Sequence, residues 1–471
     1  MKKIVTLVMI VSLLVACKTD KKEVENTRET ASKTIQPVSD AMMETAVIYE
    51  ANIRQYSPEG SFKAFTKDIP QLKQLGVKII WVMPIFPISE TKRKATGGPD
   101  SKFASEFPEA EQEKYLGSYY AVSDYTQVNP EFGTKDDFRN LVKTAHDNGM
   151  YVILDWVPNH TGWDHVWIKE HPEWYTQKDG QIIHPEGTDW TDTADLNYDN
   201  QAMRKEMIND MSYWLTDENV DGFRCDVAGS VPTDFWQEAI PQLRAKKDIF
   251  MLAEAWEPEL LKGPLFDMCY AWNGHHLMND LAQGKKNVAD YKAYLESVNN
   301  DYEADDILMN FVTNHDENSW SGTVKERLGD ASDLMTVLEY MTPGMPLIYS
   351  GQEYGMDHRL KFFEKDSIPK TKGNTWELLD KLGKLKNTNV ALNGGKNKAT
   401  ATVLNSDNDK VLLLRRSKDE AQVTFVGNLS DTVQEVIVPE GKYLDYMTNE
   451  KVEFKSDPLS LKPWEYKILV D

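Results

Sequence analysis

Residues 136–156, DDFRNLVKTAHDNGMYVILDW, hold a helix, its stop and a strand in one short run. Phe138, Leu141, Val142 and Ala145 recur at helical spacing and predict a helix over Asp136 to Asn148. Gly149 offers the left-handed conformation that ends it, and the β-rich Tyr151 to Trp156 predicts a strand, the third of a series. Upstream, Val47-Ile48-Tyr49-Glu50-Ala51-Asn52 predicts strand one, Phe62 to Leu75 a helix closing at Gly76, and Val77 to Met83 strand two. Downstream, strand-like runs fall at Gly222 to Val227, Ile249 to Ala253, Met268 to Ala271, Ile307 to Thr313 and Pro346 to Ser350. Eight such runs alternating with helices predict a closed (β/α)₈ TIM barrel, and on rhythm alone an open doubly wound sheet remains an alternative.

Two regions break the rhythm. Pro158 to about Asn200 is long and rich in Trp, His, Pro and Asp, which predicts an inserted subdomain beside the active face. After Asn389 the period changes to two, as in Val411-Leu412-Leu413-Leu414-Arg415, with Gly, Asn and Asp turns between the runs. This predicts a C-terminal antiparallel β-sandwich over 389–471, following a barrel over 44–388 whose insert spans about 158–200.

The first residues are Met1-Lys2-Lys3, an apolar run from Ile4 to Ala16, and Cys17, which predicts a signal peptide over 1–16. Leu14-Val15-Ala16-Cys17 resembles the bacterial lipobox, which implies cleavage before Cys17, acylation of that residue, and an exported, membrane-anchored lipoprotein on the periplasmic face or the cell surface. Residues 17–43 are rich in Lys, Thr, Glu and Ser, show no apolar period, and predict a disordered tether. Only Cys225 and Cys269 remain in the body; placed two strands apart, they are expected as buried thiols rather than a bridge. The net charge of −22 repels phosphates and anionic membrane surfaces, so nucleic acid is excluded as a partner, and the membrane is expected to be met only through acylated Cys17.

Acids at the C-terminal ends of barrel strands converge on one face. Here strand three ends in Asp155-Trp156-Val157-Pro158-Asn159-His160, strand four in Gly222-Phe223-Arg224-Cys225-Asp226, strand five in Ala253-Glu254-Ala255-Trp256, and strand seven in Asn314-His315-Asp316. Alternation points Arg224 and Asp226 to the same side, where the guanidinium can hold the aspartate, while Cys225 faces the helices. Cleavage of a glycosidic bond with retention needs one attacking carboxylate and one protonated carboxyl nearby, and neighbouring strands four and five can supply that pair.

In order and setting, these strand ends resemble the short sequence regions of the α-amylase family of glycoside hydrolases, glycoside hydrolase family 13. Tyr119 to Thr134 (YYAVSDYTQVNPEFGT) and Gly344 to Gly351 (GMPLIYSG) extend the resemblance, which runs from about Val47 to the C-terminus. It implies Asp226 as nucleophile, Glu254 as general acid and base, and Asp316 as stabiliser of the transition state. It further implies sugar contacts from Tyr120, His160, Arg224 and His315. Asn159 and Asp195 match residues that bind a structural calcium in many amylases, yet Ser230 stands where many members have a histidine whose carbonyl completes that site. The activity implied is endo-acting hydrolysis of α-1,4-glucosidic bonds in starch, glycogen or malto-oligosaccharides. The same triad also serves glucan transferases and neopullulanase- or cyclomaltodextrinase-type enzymes. A degenerate starch-binding surface protein is a further class, which the intact Asp226, Glu254, Asp316 and Arg224 argue against.

Overall fold

The computed structural model describes residues 35–471. The expected signal peptide, Cys17 and the tether as far as residue 34 lie outside the described residues. Barrel strands β1 to β8 are Val47–Ala51, Val77–Val82, Tyr151–Trp156, Gly222–Cys225, Phe250–Ala253, Met268–Tyr270, Ile307–Asn310 and Met345–Tyr349. Each pairs in parallel with its sequence neighbours, and β1 closes the ring on β8 through Ile48 opposite Leu347 and Glu50 opposite Tyr349. Closure removes both sheet edges and decides between the barrel and the open sheet.

Alternation along the strands separates two apolar layers. Ile48, Ile79, Trp81, Ile153, Leu252 and Met309 belong to the cluster that fills the barrel. Their neighbours Tyr49, Ile80, Leu154, Cys225, Met251 and Leu308 belong to a second cluster packed under the surrounding helices. Cys225 and Cys269 are free, buried, and each in register with Ala253 on the strand between them, so they sit where the expectation of two thiols requires.

The helix over Lys135–Asp147 starts on a Thr134/Asp137 capping box and is followed by Asn148 and by Gly149 at φ 77°. The helix expected over Phe62 to Leu75 is instead broken into Phe62–Thr66, Ile69–Leu72 and a 3₁₀ turn, Lys73–Leu75, because Pro70 cannot continue a helix from the turn before it. A second difference concerns the tether. Residues 35–43 belong to the fold: Ser39 caps a short helix, Asp40–Met43, and Met42 and Met43 are buried against the N-terminal end of the barrel interior, with Ile35 and Val38 beside them. Apolar side chains that cover an open barrel end explain why this stretch is ordered despite its polar surroundings.

The insert is tied down by a two-stranded ribbon in which His160–Gly162 pairs antiparallel with Thr193–Asp195. The C-terminal domain holds β9 to β16: Thr400–Val403, Val411–Lys418, Ala421–Asn428, Gln434–Val436, Gly441–Asp445, Glu450–Phe454, Leu459–Leu461 and Tyr466–Val470. Six form one antiparallel sheet in the order β9-β10-β11-β16-β13-β14, and β12 with β15 forms the second. Val411, Leu413, Val426, Val436, Leu461 and Leu469 make the core of this domain. Buried Arg416 fastens the domain to the barrel by donating to the Met341 carbonyl, and it donates to the Asn393 carbonyl within its own domain. No helix among the described residues is long and apolar enough to cross a membrane.

Candidate active site

The parity that sends Ile48, Trp81, Ile153 and Leu252 into the barrel also sends in the residues two places further along each strand or at its end. Glu50, Asp155, Arg224, Asp226 and Glu254 therefore meet where the apolar filling stops. Arg224 is fully buried and organises them: Nη1 lies 2.8 Å from Asp155 Oδ1 and 2.9 Å from Asp226 Oδ1, and Nη2 lies 2.9 Å from Glu254 Oε2. Its Nε donates to Tyr270 Oη at 3.2 Å, and the indole of Trp81 lies 4.9 Å from the guanidinium carbon. One guanidinium thus ties together the two carboxyls expected to act as nucleophile and acid/base.

Backbone geometry aims the acid/base. The amide of Val227 donates to Glu254 Oε2 at 2.7 Å, and to do so Val227 adopts φ 35°, a left-handed conformation that a β-branched residue resists. Strain of this kind directly after the expected nucleophile marks a functional turn. Burial is the largest influence on both carboxyls and pushes Glu254 up to about 7 and Asp226 up to about 6, with Arg224 opposing it in each case. The order is the one expected, although burial leaves Asp226 above the ordinary carboxylate range.

A hydrogen-bonded chain extends from this centre to β1. His315 Nδ1 lies 2.5 Å from Glu50 Oε1, His315 Nε2 lies 2.8 Å from Tyr120 Oη, and Tyr120 Oη donates to Asp155 Oδ2 at 3.2 Å. Burial opposes a charge on His315, but Asp316 and Glu50 outweigh it and raise the imidazole to about 9. His315 Nε2 also lies 3.4 Å from Asp316 Oδ2, so this ring nitrogen faces both Tyr120 and Asp316. His160 behaves oppositely. Burial alone lowers it to about 3, and the Asn159 amide donates to Nδ1 at 3.2 Å, so the neutral ring keeps its proton on Nε2 as a donor.

A cleft of about 430 Å³ opens over this cluster, and its walls include Asp226, Glu254, Asp316, Tyr120, His160 and His315. The expected triad and three of the four expected sugar-binding residues thus share one cavity. Arg224, expected to bind substrate, is fully buried beneath the carboxylates and forms no part of the wall, so it acts on a sugar only through them. Trp256 is 58 % exposed and lies outside the cleft lining. Sequence reading missed Glu50, Trp81 and Tyr270 and assigned no role to Asp155. Strand parity was the available signal, since each follows an inward apolar residue by two positions.

Asn159 and Asp195 do come together at the ribbon: Asn159 O accepts from Leu196 N at 3.2 Å, and Asp195 is the register partner of His160. Among the described residues no group of three or more His, Cys, Asp or Glu side chains is placed to hold a metal ion. Asp195 brings the single carboxylate of the implied pair, whereas calcium takes about six to eight oxygens, usually with several carboxylates. A backbone hydrogen bond and the ribbon pairing close the junction between barrel and insert.

The sequence model described as "Alpha amylase, catalytic domain" matches residues 28–408. Alpha-amylase 3 of Dictyoglomus thermophilum is 26 % identical over 371 residues, 69 % of this chain and 66 % of that protein. An alpha-1,4-glucan:maltose-1-phosphate maltosyltransferase of Rhodospirillum rubrum is 27 % identical over 405 residues, 81 % of this chain and 56 % of that protein. This chain thus spans between about half and two thirds of the length of these curated relatives. Among solved structures, an alpha-amylase from Lactobacillus plantarum superposes with a TM-score of 0.78 at 29 % identity, covering 91 % of this chain and 99 % of that one.

Proposed function

The chain belongs to the α-amylase family, and on that premise we propose that it hydrolyses α-1,4-glucosidic bonds in starch, glycogen or malto-oligosaccharides with retention of configuration. The observation that carries the reading is the single guanidinium of Arg224 ion-paired to both Asp226 and Glu254. Asp226, ionised, attacks the anomeric carbon as Glu254 gives its proton to the leaving oxygen, so the glycosidic bond breaks and a glycosyl ester forms on Asp226. Asp316, 38 % exposed at the mouth, faces the hydroxyls of the reacting sugar and favours its oxocarbenium-like transition state. Glu254, now a carboxylate, takes a proton from water; the hydroxide attacks the same carbon from the freed face and returns Asp226. His160 supplies a neutral donor and Tyr120 a ring face to that sugar. An intact protonatable pair at the barrel centre favours an enzyme over a starch-binding module.

Incubation with amylose, pullulan, cyclodextrin and maltotriose, with products separated over time, tests the reading. Loss of amylose length with water as acceptor and products born as α-anomers is expected. Products longer than the starting oligosaccharide would assign a transferase, and attack on pullulan or cyclodextrin alone would assign the neopullulanase type. The lipobox at Leu14-Val15-Ala16-Cys17 supports the further proposal that the enzyme is exported and held at a membrane by acyl chains on Cys17.

A further inference from the structure

The loop after β2 crosses one end of the cleft. Lys94, 4 % exposed, donates to the Asp189 carbonyl at 2.5 Å and lies 3.6 Å from Asp192 Oδ1, both on the insert. Three residues on, Gly97 packs against the indole of Trp320 on the opposite wall: a Cβ at Gly97 would stand 2.7 Å and 2.8 Å from two ring carbons, so only glycine allows the approach. The loop is braced at its base, where Ala95 N donates to Lys102 O at 2.8 Å and Lys94 bridges to Phe103. Trp320 is held in turn by the rings of Phe362 at 5.1 Å and Phe363 at 6.0 Å. Lys94, Gly97, Asp189, Asp192, Trp320 and Phe363 all line the same cleft as the catalytic acids. Insert, loop and the segment after β7 therefore form a continuous bar.

The rings show which end is barred. Glu254 protonates the leaving oxygen, so the leaving chain lies on its side of the reacting bond. Tyr120 stacks on His315 at 24°, lies near-parallel to Phe362 at 14° with centroids 6.5 Å apart, and Phe362 leads to Trp320. The bar thus stands beyond the sugar that Asp226 attacks. We propose that it blocks the glycon side of the cleft, so that the enzyme works from non-reducing ends and releases one short product of fixed length. This rests on the α-glucan reading above and replaces the internal, endo-acting cleavage expected from the sequence. To thread an internal segment, a glucan would have to displace Trp320 or part the Lys94–Asp192 pair, whose side chains are only 5 % and 6 % exposed.

The full chain in detergent is given maltoheptaose carrying a p-nitrophenyl group at its reducing end, either free or capped by a 4,6-O-ethylidene group at its non-reducing end. Cleavage of the capped oligomer at least ~10-fold slower than the free one, with a single short product from the free one, is expected. Trp320→Ala, a change at a half-exposed site whose folding is checked by circular dichroism, should bring the two rates together and lengthen the product. Equal rates on both oligomers with a ladder of products overturn the proposal. A wild-type preference that Trp320→Ala leaves intact places the barrier elsewhere and overturns this assignment. Inertness toward both oligomers overturns the glucan reading, and the bar with it, a result distinct from equal cleavage.

Discussion

Asp226 and Glu254 share one guanidinium yet must differ by a proton, and their surroundings supply the difference. Burial raises both; Glu254 rises further, to about 7 against about 6, with Asp226 and Asp316 adding negative charge around it. Activity requires Asp226 ionised and Glu254 protonated. It is therefore lost as pH falls through about 6 and again as pH rises through about 7, giving a narrow bell in kcat/KM whose limbs belong to the coupled cluster. A flat profile across that window in a rate measurement on a soluble malto-oligosaccharide would contradict this pairing. The roles separate with an activated leaving group. On an α-maltosyl fluoride, Glu254→Gln should keep most of its fluoride burst while losing starch cleavage by ~10²- to 10⁴-fold, since fluoride needs no proton donor. Equal loss of both would pass the proton donor's role to another acid.

Strand elements decide which acids meet, and here the sequence was most informative. Eight runs were legible because alternating β-rich segments and capped helices leave a strong periodic trace, and their ends placed Asp226, Glu254 and Asp316 without coordinates. Glu50 was passed over and Asp155 left without a role although strand parity marked both; the closed barrel fixes which side of each strand is inward and so makes that parity decisive. The break at Pro70 follows from the proline itself and was passed over within the apolar stripe, whereas the order of Met42 and Met43 depends on packing against the barrel floor. The ribbon joining His160–Gly162 to Thr193–Asp195 closes the junction at which a metal was expected. With one carboxylate at the junction, thermal melting in EGTA and in millimolar calcium should give the same Tm, followed by circular dichroism. A clear rise in Tm with calcium would restore Asn159 and Asp195 as ligands.

At the scale of the whole molecule, barrel, insert and C-terminal sheets form one compact unit over the described residues, while the proposed anchor lies upstream in the sequence. Acyl chains act on location and not on the site, so Cys17→Ser should leave specific activity unchanged and move the protein from the membrane pellet to the soluble fraction. A variant that sediments as the parent does would show another anchor. Cleft shape was not legible in the sequence, because the bar between Lys94 and Trp320 is built by loops whose contacts follow no period. The central claim concerns one bond, the ester between a sugar and Asp226. Incubating Glu254→Gln with an α-maltosyl fluoride should accumulate that ester, because the same substitution removes the base that deprotonates water. Mass spectrometry of the quenched and digested protein should then find a maltosyl adduct on the peptide containing Asp226, absent in the Glu254→Gln/Asp226→Asn double variant. An adduct on Asp316 or Glu50, or fluoride release with no adduct and an inverted product, would contradict the account.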